Sequence, residues 1–414
     1  MRIAFDITDL LFSSAGVYRY RINMADSLVK LDSENSIHFY YCYYWPFQTK
    51  AKKPLDEALP IRLLGLPSLE ERLQKFSGSS LMDKTWQILD KNIIIPINKR
   101  INHRIRLVVS NGLDQRSSLY FMGAIDKVDI IHHSQEVFFK HSKAKNVITI
   151  HDLVPIVYPE FHTQMTVFIS KNMFKFAVKC CDIIFVVSNF VREQIIHFSG
   201  INKDRIKLIK NAVGESFKPV EDQDLLTQKL SKYGLEPFSY ILYLGTIEPR
   251  KNIDILLKAF HHLPKKHKSI RLVIGGKYGW KKRQLYRTAK QINKNNRIIF
   301  TGFIPEEDLP FIMNGAIVFV YPSLHEGFGL PPLEAMACGT PVIASGKGGL
   351  SEVIGNAALK LDPYDLRNLV NLLDRVLSSQ ALQEELKEKG LARAALFSWN
   401  ESALEMMSAY ETLL

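Results

Sequence analysis

Short apolar runs alternate along this chain with longer segments in which apolar residues recur at helical spacing. Such runs are typical of buried parallel strands, and the longer segments are typical of amphipathic helices. In the first half we predict strands at residues 2–7, 38–45, 128–132, 147–150, 183–187 and 206–209. In the second half we predict strands at residues 240–244, 271–274, 297–300, 316–320 and 341–344. Strands that alternate with helices in both halves predict an α/β protein.

Length and turn signals divide the chain into domains. The 414 residues are too many for one compact core, and they suit two domains of about 200 residues each. We predict a first domain at residues 1–210, a second at 211–395 and a last helix at 396–414. No apolar run reaches the roughly 18 residues that cross a bilayer. The N-terminus reads as a strand rather than a signal peptide, so we expect a cytoplasmic protein, soluble or peripheral on a membrane.

The charge of the chain favours anionic partners. Its formal net charge of +12 suits nucleic acid or an acidic lipid surface, and charge alone does not choose between them. Two stretches, 91–106 and 277–297, contain many basic residues and no acidic residue. The first predicts either a segment that lies on a membrane or a solvated basic helix broken at Pro96. For the second we favour a solvated helix face or a further membrane contact over nucleic acid.

Cysteines and acidic pairs give no metal signal. The four cysteines, Cys42, Cys180, Cys181 and Cys338, show neither C-x-x-C spacing nor nearby histidines, so we predict reduced structural thiols. Residues 222–224 have the D-x-D spacing of a metal motif, but no predicted strand precedes them. We therefore expect no metal and no other cofactor.

The stretch 321–345 carries the most specific chemistry. It reads as a strand, a glycine loop at 327–329, a helix that opens on the prolines at 331–332, and a second strand. A helix that starts after such a loop turns free N–H groups toward an anion. Glu326 and Glu334 frame the loop, and their carboxylates would accept hydrogen bonds from hydroxyls. An anion site beside a hydroxyl site predicts a nucleotide-sugar ligand.

These glutamates, in the frame HEGFGLPPLEAMACGTPV, resemble the E-x(7)-E motif of retaining family 4 glycosyltransferases. The resemblance covers most of the chain and is densest from residue 240 to 352. It implies the GT-B fold, in which two Rossmann-like domains face each other across a cleft, with the donor held mainly by the second domain and the acceptor by the first. The donor-binding residues it implies in this stretch are Glu326, Gly327, Phe328, Gly329, Leu330 and Glu334.

Three other segments carry the resemblance. Gly16, at a predicted helix start after the first strand, is similar to the family's first glycine loop, whose backbone touches the donor phosphate; a plain turn is the alternative. His151, in HDLVP, is similar to the family histidine that contacts the donor sugar, and a structural histidine is its alternative. Phe303 and Ile304 lie in TGFIP, which resembles the loop that approaches the nucleobase.

The segment GTIEPRKN is a second strong match. Arg250 and Lys251 stand where a loop meets a helix, and cations there can neutralise a pyrophosphate as a sugar departs from it. Lys251 matches the family's lysine position. Thr246 stands where many members carry an arginine, and Arg250 is expected to supply part of that charge.

By this resemblance the reaction transfers a sugar from a nucleotide-sugar with retention at the anomeric carbon, and the rejection of the D-x-D segment as a metal motif predicts transfer without a metal. The residues with implied catalytic roles are His151, Glu326, Arg250 and Lys251. The segments GVYRY, IHDLVPIVYPEF and GTIEPRKN look most like bacterial mannosyltransferases of surface-polysaccharide assembly. We therefore expect GDP-mannose as donor and a saccharide or lipid-linked saccharide as acceptor, while a UDP- or dTDP-sugar fits the same motifs.

Two other classes of function compete. An NAD-dependent oxidoreductase shares the α/β pattern but needs a G-x-G-x-x-G fingerprint, which neither half shows. A non-catalytic basic protein that binds nucleic acid or lipid would explain the net charge but would leave the paired glutamates without a role. We expect no nucleic-acid partner and retain an anionic membrane surface as a second partner.

Overall fold

The strands of this protein form two separate sheets. The computed structural model describes residues 1–6, 16–31, 36–43, 94–96, 106–111, 128–133, 143–277, 279, 283–293 and 295–414. The first sheet has the order β3-β4-β2-β1-β5-β6-β7-β8 within these residues. Its strands are β1 (Arg2–Asp6), β2 (Ser36–Tyr43), β3 (Ile94–Pro96), β4 (Arg106–Asn111), β5 (Ile130–His133), β6 (Lys145–Ile150), β7 (Ile183–Val186) and β8 (Ile206–Leu208).

The strands of the first sheet are parallel except at one edge, where β3 pairs antiparallel with β4. Strands β3 and β4 were not among the predicted ones. Residues 94–96 fall inside the basic stretch 91–106, so the prediction of a helix broken at Pro96 is wrong for these three residues. Proline suits an edge strand because it has no N–H to donate to a further neighbour. Most of the stretch 91–106 lies outside the described residues.

The second sheet has the order β11-β10-β9-β12-β13-β14 and is parallel throughout its described pairs. Five of its strands confirm predicted ones to within two residues, and β14 was not predicted. The strands are β9 (Tyr240–Leu244), β10 (Arg271–Gly275), β11 (Ile298–Gly302), β12 (Val318–Tyr321), β13 (Val342–Ser345) and β14 (Leu359–Leu361). Together the sheets confirm the α/β class with two Rossmann-like domains that face each other across a cleft.

Helices connect these strands. In chain order within the described residues they are α1 (Gly16–Leu31), α2 (Val154–Val157), α3 (Gln164–Cys180), α4 (Asn189–Ser199), α5 (Gln223–Ser231), α6 (Ile253–His261), α7 (Arg283–Ile292), α8 (Leu309–Asn314), α9 (Leu330–Ala337), α10 (Gly349–Ile354), α11 (Leu366–Ser378), α12 (Gln380–Ala394) and α13 (Trp399–Glu411). In the part of the chain that is described, none of them is both long and apolar enough to cross a membrane.

The residues that cap helices α5 and α9 explain two signals in the sequence, the D-x-D spacing and the glycine loop followed by prolines. The D-x-D residues open α5, where the Asp222 side chain accepts a hydrogen bond from the Leu225 N–H at 2.9 Å. An aspartate at this position is a common helix N-cap, which accounts for that carboxylate without a metal. At α9, Gly329 adopts a φ of +117°, a backbone conformation that favours glycine, and prolines follow in the first turn.

The last helix, α13, packs on α1 and covers the first sheet. Met406 and Tyr410 of α13 are fully buried there. Beneath them His132 lies between two hydroxyls, with Nδ1 at 2.5 Å from Tyr410 Oη and Nε2 at 2.8 Å from Thr149 Oγ1. Burial lowers the pKa of His132 well below 6.5, so the ring is neutral and fits this uncharged network.

Replacing Met406 by alanine should test how firmly α13 holds the first domain. We expect the free energy of unfolding to fall by about 2–5 kcal/mol because a fully buried side chain leaves a cavity. Urea unfolding monitored by tryptophan fluorescence would measure this. Leu404→Ala on the same helix is the control, since that side chain is 56% exposed and its loss should cost under about 0.5 kcal/mol. Equal losses in both variants would contradict the packing described here.

Candidate active site

A cavity of about 750 Å³ lies between the two sheets, at the carboxyl ends of their strands. In parallel α/β sheets this edge is where ligands bind, because loops and helix N-termini converge there. The predicted residues that line the cavity are His151, Thr246, Arg250, Lys251, Phe303, Ile304, Glu326, Gly327, Phe328, Gly329, Leu330 and Glu334. Gly16 is the first residue of α1, and its neighbour Val17 lines the cavity. The structure therefore brings the predicted site residues to one place.

Glu326 is the centre of a buried cluster of charges. Its Oε1 accepts hydrogen bonds from Lys251 Nζ at 2.5 Å and from Ser323 Oγ at 2.7 Å, and its Oε2 accepts one from Arg250 Nη1 at 2.8 Å. The glutamate is only 8% exposed. Burial raises its pKa, but Arg250 and Lys251 outweigh that effect and lower the pKa from 4.5 to about 2. Glu326 is therefore ionised throughout the physiological range.

The two cations of this cluster are also held by other groups. Arg250 donates from Nη2 to Glu248 Oε1 at 2.7 Å and from Nη1 to the carbonyl of His325 at 2.7 Å. Lys251 donates to Tyr321 Oη at 2.7 Å. These bonds fix both positive groups at the wall of the cavity before any ligand contributes, which is the kind of preorganisation that stabilises developing negative charge.

Glu334 lies in the second turn of α9 and is 2% exposed. Its Oε1 accepts a hydrogen bond from Nη1 of Arg19, which reaches it from α1 of the first domain. Its Oε2 is buried and has no hydrogen-bond partner among the described residues. Buried carboxylate oxygens rarely lack a hydrogen-bond partner, so this atom is suited to accept a hydrogen bond from a ligand.

His151 follows directly on β6 and lies at the first domain's wall of the cavity. Burial, together with the charge of Arg21, lowers its pKa from 6.5 to about 3, so the imidazole is neutral. The ring meets that of Tyr20 edge-on at 4.6 Å between centroids. Its Nε2 is buried and has no partner in the part of the structure that is described. A neutral ring in this position can exchange one hydrogen bond with an uncharged ligand group.

The two domains touch closely beside the glycine loop. A Cβ on Gly327 would lie 2.0 Å from the His151 carbonyl oxygen, so no larger residue fits without movement of a backbone. Ser188 Oγ donates to the carbonyl of Gly327 at 2.6 Å. Glu352 of α10 accepts hydrogen bonds from the first N–H groups of α4, those of Asn189 at 3.0 Å and Phe190 at 2.6 Å. These contacts bring His151 and the loop to opposite sides of the same cavity.

Sequence reasoning missed several charged residues of the cavity. Arg19, Asp152, Glu248 and Lys277 line it without having been assigned a role. Arg19 had a usable signal, because it follows Gly16 by three positions and residues so spaced share one helix face. The others had none, because only the tertiary structure shows which loop residues turn toward the cleft. Among the described residues, no group of three or more His, Cys, Asp or Glu side chains is placed to hold a metal ion.

The fold is that of the GT-B glycosyltransferases. A solved structure from Anabaena, HepE in complex with UDP and glucose, superposes with a TM-score of 0.71 over 100% of both chains at 16% identity. WaaG, a glycosyltransferase involved in lipopolysaccharide biosynthesis, superposes with a TM-score of 0.66 over 99% of both chains at 14% identity. At these identities the likeness concerns the fold.

Sequence comparisons give the family. Residues 227–393 match the family described as Glycosyl transferases group 1, and residues 88–216 match Glycosyltransferase Family 4. O-antigen chain mannosyltransferase B of Escherichia coli is 32% identical over 352 residues, which cover 83% of this chain and 91% of that protein. Serotype-specific mannosyltransferase WbdA of Escherichia coli is 36% identical over 277 residues, 65% of this chain and 34% of that longer protein. The chain belongs to family 4 of the glycosyltransferases.

Replacing Glu326 by glutamine should leave Lys251 and Arg250 with a buried excess of positive charge. We expect the free energy of unfolding at pH 7 to fall by about 3 kcal/mol, the usual cost of breaking a buried pair. Because the folded-state pKa of Glu326 is depressed to about 2, its contribution is complete above about pH 4.5 and is lost between pH 4.5 and 2. The difference between wild type and variant should therefore shrink as the pH falls through that window.

Urea unfolding at pH 7 and at pH 3 would measure both effects. Glu385→Gln is the matched control, because Glu385 pairs with Lys389 on an exposed helix face and should contribute under about 0.5 kcal/mol. A Glu326→Gln variant as stable as wild type at pH 7 would contradict the role given to the cluster.

Proposed function

We propose that this protein transfers mannose from GDP-mannose to a saccharide or lipid-linked saccharide in the assembly of a cell-surface polysaccharide. The proposal extends to this chain what the names of its relatives say of them, since two are mannosyltransferases of O-antigen chains or serotypes. A UDP- or dTDP-sugar donor is the alternative within the same class of enzyme. The expected acceptor side is the first domain, and the expected donor side is the second.

One observation carries this proposal: a single cavity joins fixed cations to two buried carboxylates. Arg250 and Lys251 offer positive charge to a diphosphate, and the unpartnered Oε2 of Glu334 offers a hydrogen-bond acceptor to a ribose hydroxyl. Glu326 and His151 lie on two sides of the same space, where they can orient a sugar. A nucleotide-sugar needs both kinds of partner at once, whereas a nucleic-acid or lipid binder needs only the cations.

The proposed chemistry retains the configuration of the anomeric carbon. The bond between that carbon and the departing phosphate breaks, the acceptor oxygen bonds to the same face, and the acceptor's proton passes to the leaving phosphate. Arg250, Lys251, the backbone of Gly16 and the N–H groups of the glycine loop 327–329 after Glu326 stabilise the negative charge on the leaving diphosphate. Because these groups supply the positive charge, we propose that the reaction needs no metal ion.

Incubation with GDP-mannose, UDP-glucose and dTDP-rhamnose, with EDTA present and a mannoside as acceptor, would test the proposal. We expect release of GDP, and NMR of the product should show mannose with the anomeric configuration it had in the donor. Glu334→Ala and Lys251→Ala should each lower kcat/KM by about 100-fold or more, because each removes a contact to the donor.

Lys258→Ala is the control for these variants, since Lys258 is a half-exposed lysine on α6. Folding of each variant is checked by circular dichroism. Full activity of a folded Glu334→Ala or Lys251→Ala protein would contradict the assignment of the site. Activity that disappears in EDTA and returns with Mg²⁺ would contradict the metal-independent mechanism.

We also propose that the first domain rests on an anionic membrane through α3. One face of this helix carries Met165, which is 51% exposed, and Phe168, which is 64% exposed. Lys171, Lys175 and Lys179 continue the same exposed face toward the C-terminus, and α3 contains no acidic residue. Apolar tips beside a row of lysines suit insertion at the boundary of negatively charged headgroups. Such docking would bring the acceptor side of the cleft near a lipid-linked saccharide.

Co-sedimentation with phosphatidylglycerol vesicles would test this surface. We expect the wild type to bind them and to bind phosphatidylcholine vesicles more weakly, and Phe168→Glu should lower the bound fraction about tenfold by removing an inserted ring and adding repulsion. Phe198→Glu on α4 is the control, because that ring is also exposed, at 47%, but lies on another helix. Unchanged binding by Phe168→Glu would show that α3 is not the docking face.

A further inference from the structure

Among the described residues, Arg19 is one of two cations lining the cavity, with Lys277, to which the reaction above gives no role. It lies in the first turn of α1, beside the Gly16 backbone, and its side chain is 16% exposed. Its guanidinium lies 6.0 Å from the centre of the Phe217 ring and donates to Glu334 Oε1 across the cleft. The two residues are 315 positions apart and belong to different domains, so this ion pair forms only when the domains meet.

The charge balance of the cavity gives Arg19 its importance. The residues that line the cavity include four cations, Arg19, Arg250, Lys251 and Lys277, and four acids, Asp152, Glu248, Glu326 and Glu334. Arg250 already forms ion pairs with Glu326 and Glu248, and Lys251 forms one with Glu326. A diphosphate brings about two negative charges into this balanced space, and it needs positive groups that can turn toward it. Position 246, at the second domain's wall, supplies a threonine rather than a cation.

Glu334 and Arg19 together have the properties of an exchangeable pair. Glu334 is rigidly placed on α9 and almost fully buried, so it cannot follow a ligand. Arg19 has a long side chain with four rotatable bonds, and its Cα lies one turn from the N-terminus of α1, which faces the cavity through Val17. Ribose hydroxyls that occupy both Glu334 oxygens would compete with the guanidinium for Oε1. Arg19 would then need a new anionic partner within reach of the start of α1.

We propose that Arg19 is a donor-binding residue that exchanges Glu334 for the donor's diphosphate when the ribose hydroxyls engage Glu334. The exchange keeps both buried charges paired at every stage, and it couples donor binding in the second domain to a contact from the first. In this chain Arg19 thereby supplies the cation that position 246 lacks. The inference rests on the proposed function, because it assumes a donor that carries a diphosphate and a ribose.

Comparing the affinities of a nucleoside diphosphate and of its nucleoside would test this exchange. Isothermal titration calorimetry is run with GDP or UDP, whichever stabilises the wild type more, and with the corresponding nucleoside, because both carry a full ribose. Arg19→Met should weaken binding of the diphosphate by about 10- to 100-fold, the value of a charge-assisted hydrogen bond. Binding of the nucleoside should be unchanged or tighter, because Glu334 no longer has to release a cation. Arg19→Lys, which keeps a positive charge, should lose less.

Two other variants isolate the effect. Glu334→Gln should weaken the nucleoside as well as the diphosphate, since both carry the ribose. Arg205→Met removes a guanidinium that donates to the carbonyl oxygens of Val178 and Cys181, outside the cavity, and should change neither affinity. Thermal unfolding confirms that each variant is folded.

The outcomes separate this inference from the function on which it rests. Equal weakening of nucleoside and diphosphate by Arg19→Met would overturn the exchange, because it would mean that Arg19 only orients Glu334. Unchanged affinities would overturn it as well. A wild type that binds neither diphosphate would instead contradict the proposed function.

Discussion

A carboxylate buried at the cleft must be matched by buried cations, and the topology of the second sheet meets this requirement. Strands β9 and β12 are neighbours, so the loops that leave their carboxyl ends run side by side. One loop carries Arg250 and Lys251, and the other carries Glu326. A backbone hydrogen bond from the Leu324 N–H to the Arg250 carbonyl, 2.8 Å long, ties the loops together. An ionised Glu326 buried without these partners would destabilise the folded protein by several kcal/mol. The pairing of the charges therefore depends on the geometry of the two loops, and the loops are held in place by that pairing.

Close approach of the two domains imposes a second constraint. Gly327 has no space for a Cβ against the His151 carbonyl, and a Cβ on Gly349 would lie 1.9 Å from the Gly327 carbonyl oxygen. Because the residues here are small, the first domain can donate hydrogen bonds to the second domain. The donors are Ser188 and the N–H groups at the N-terminus of α4. The contact has a chemical consequence, because it places a neutral histidine and an arginine of the first domain opposite the glutamates of the second.

The basic character of the chain is not concentrated in this cleft. Among the described residues, as many acidic as basic side chains line the cavity, whereas the formal net charge of the whole chain is +12. Part of the basic charge lies outside the cavity, on the exposed lysines of α3. A balanced cleft favours a ligand that has hydroxyls as well as phosphates, while an outer basic surface favours an extended anionic partner. The structure keeps these two features on separate surfaces.

The sequence by itself determined the α/β class and most strands of both sheets, because these depend on local periodicity. Nearly all the site residues that we predicted from contiguous motifs also line the cavity. The predictions missed the strands Ile94–Pro96 and Leu359–Leu361, which are three residues long and form sheet edges, so their apolar patterns are weak, and they also missed the longer strand Arg106–Asn111. Only the tertiary structure paired Arg19 with Glu334, left Oε2 of Glu334 without a hydrogen-bond partner among the described residues, and bound Arg250 to Glu326 as well as to Glu248. The Arg19–Glu334 and Arg250–Glu326 pairs join residues far apart in the chain, and their geometry depends on how domains and loops pack, which no local pattern encodes.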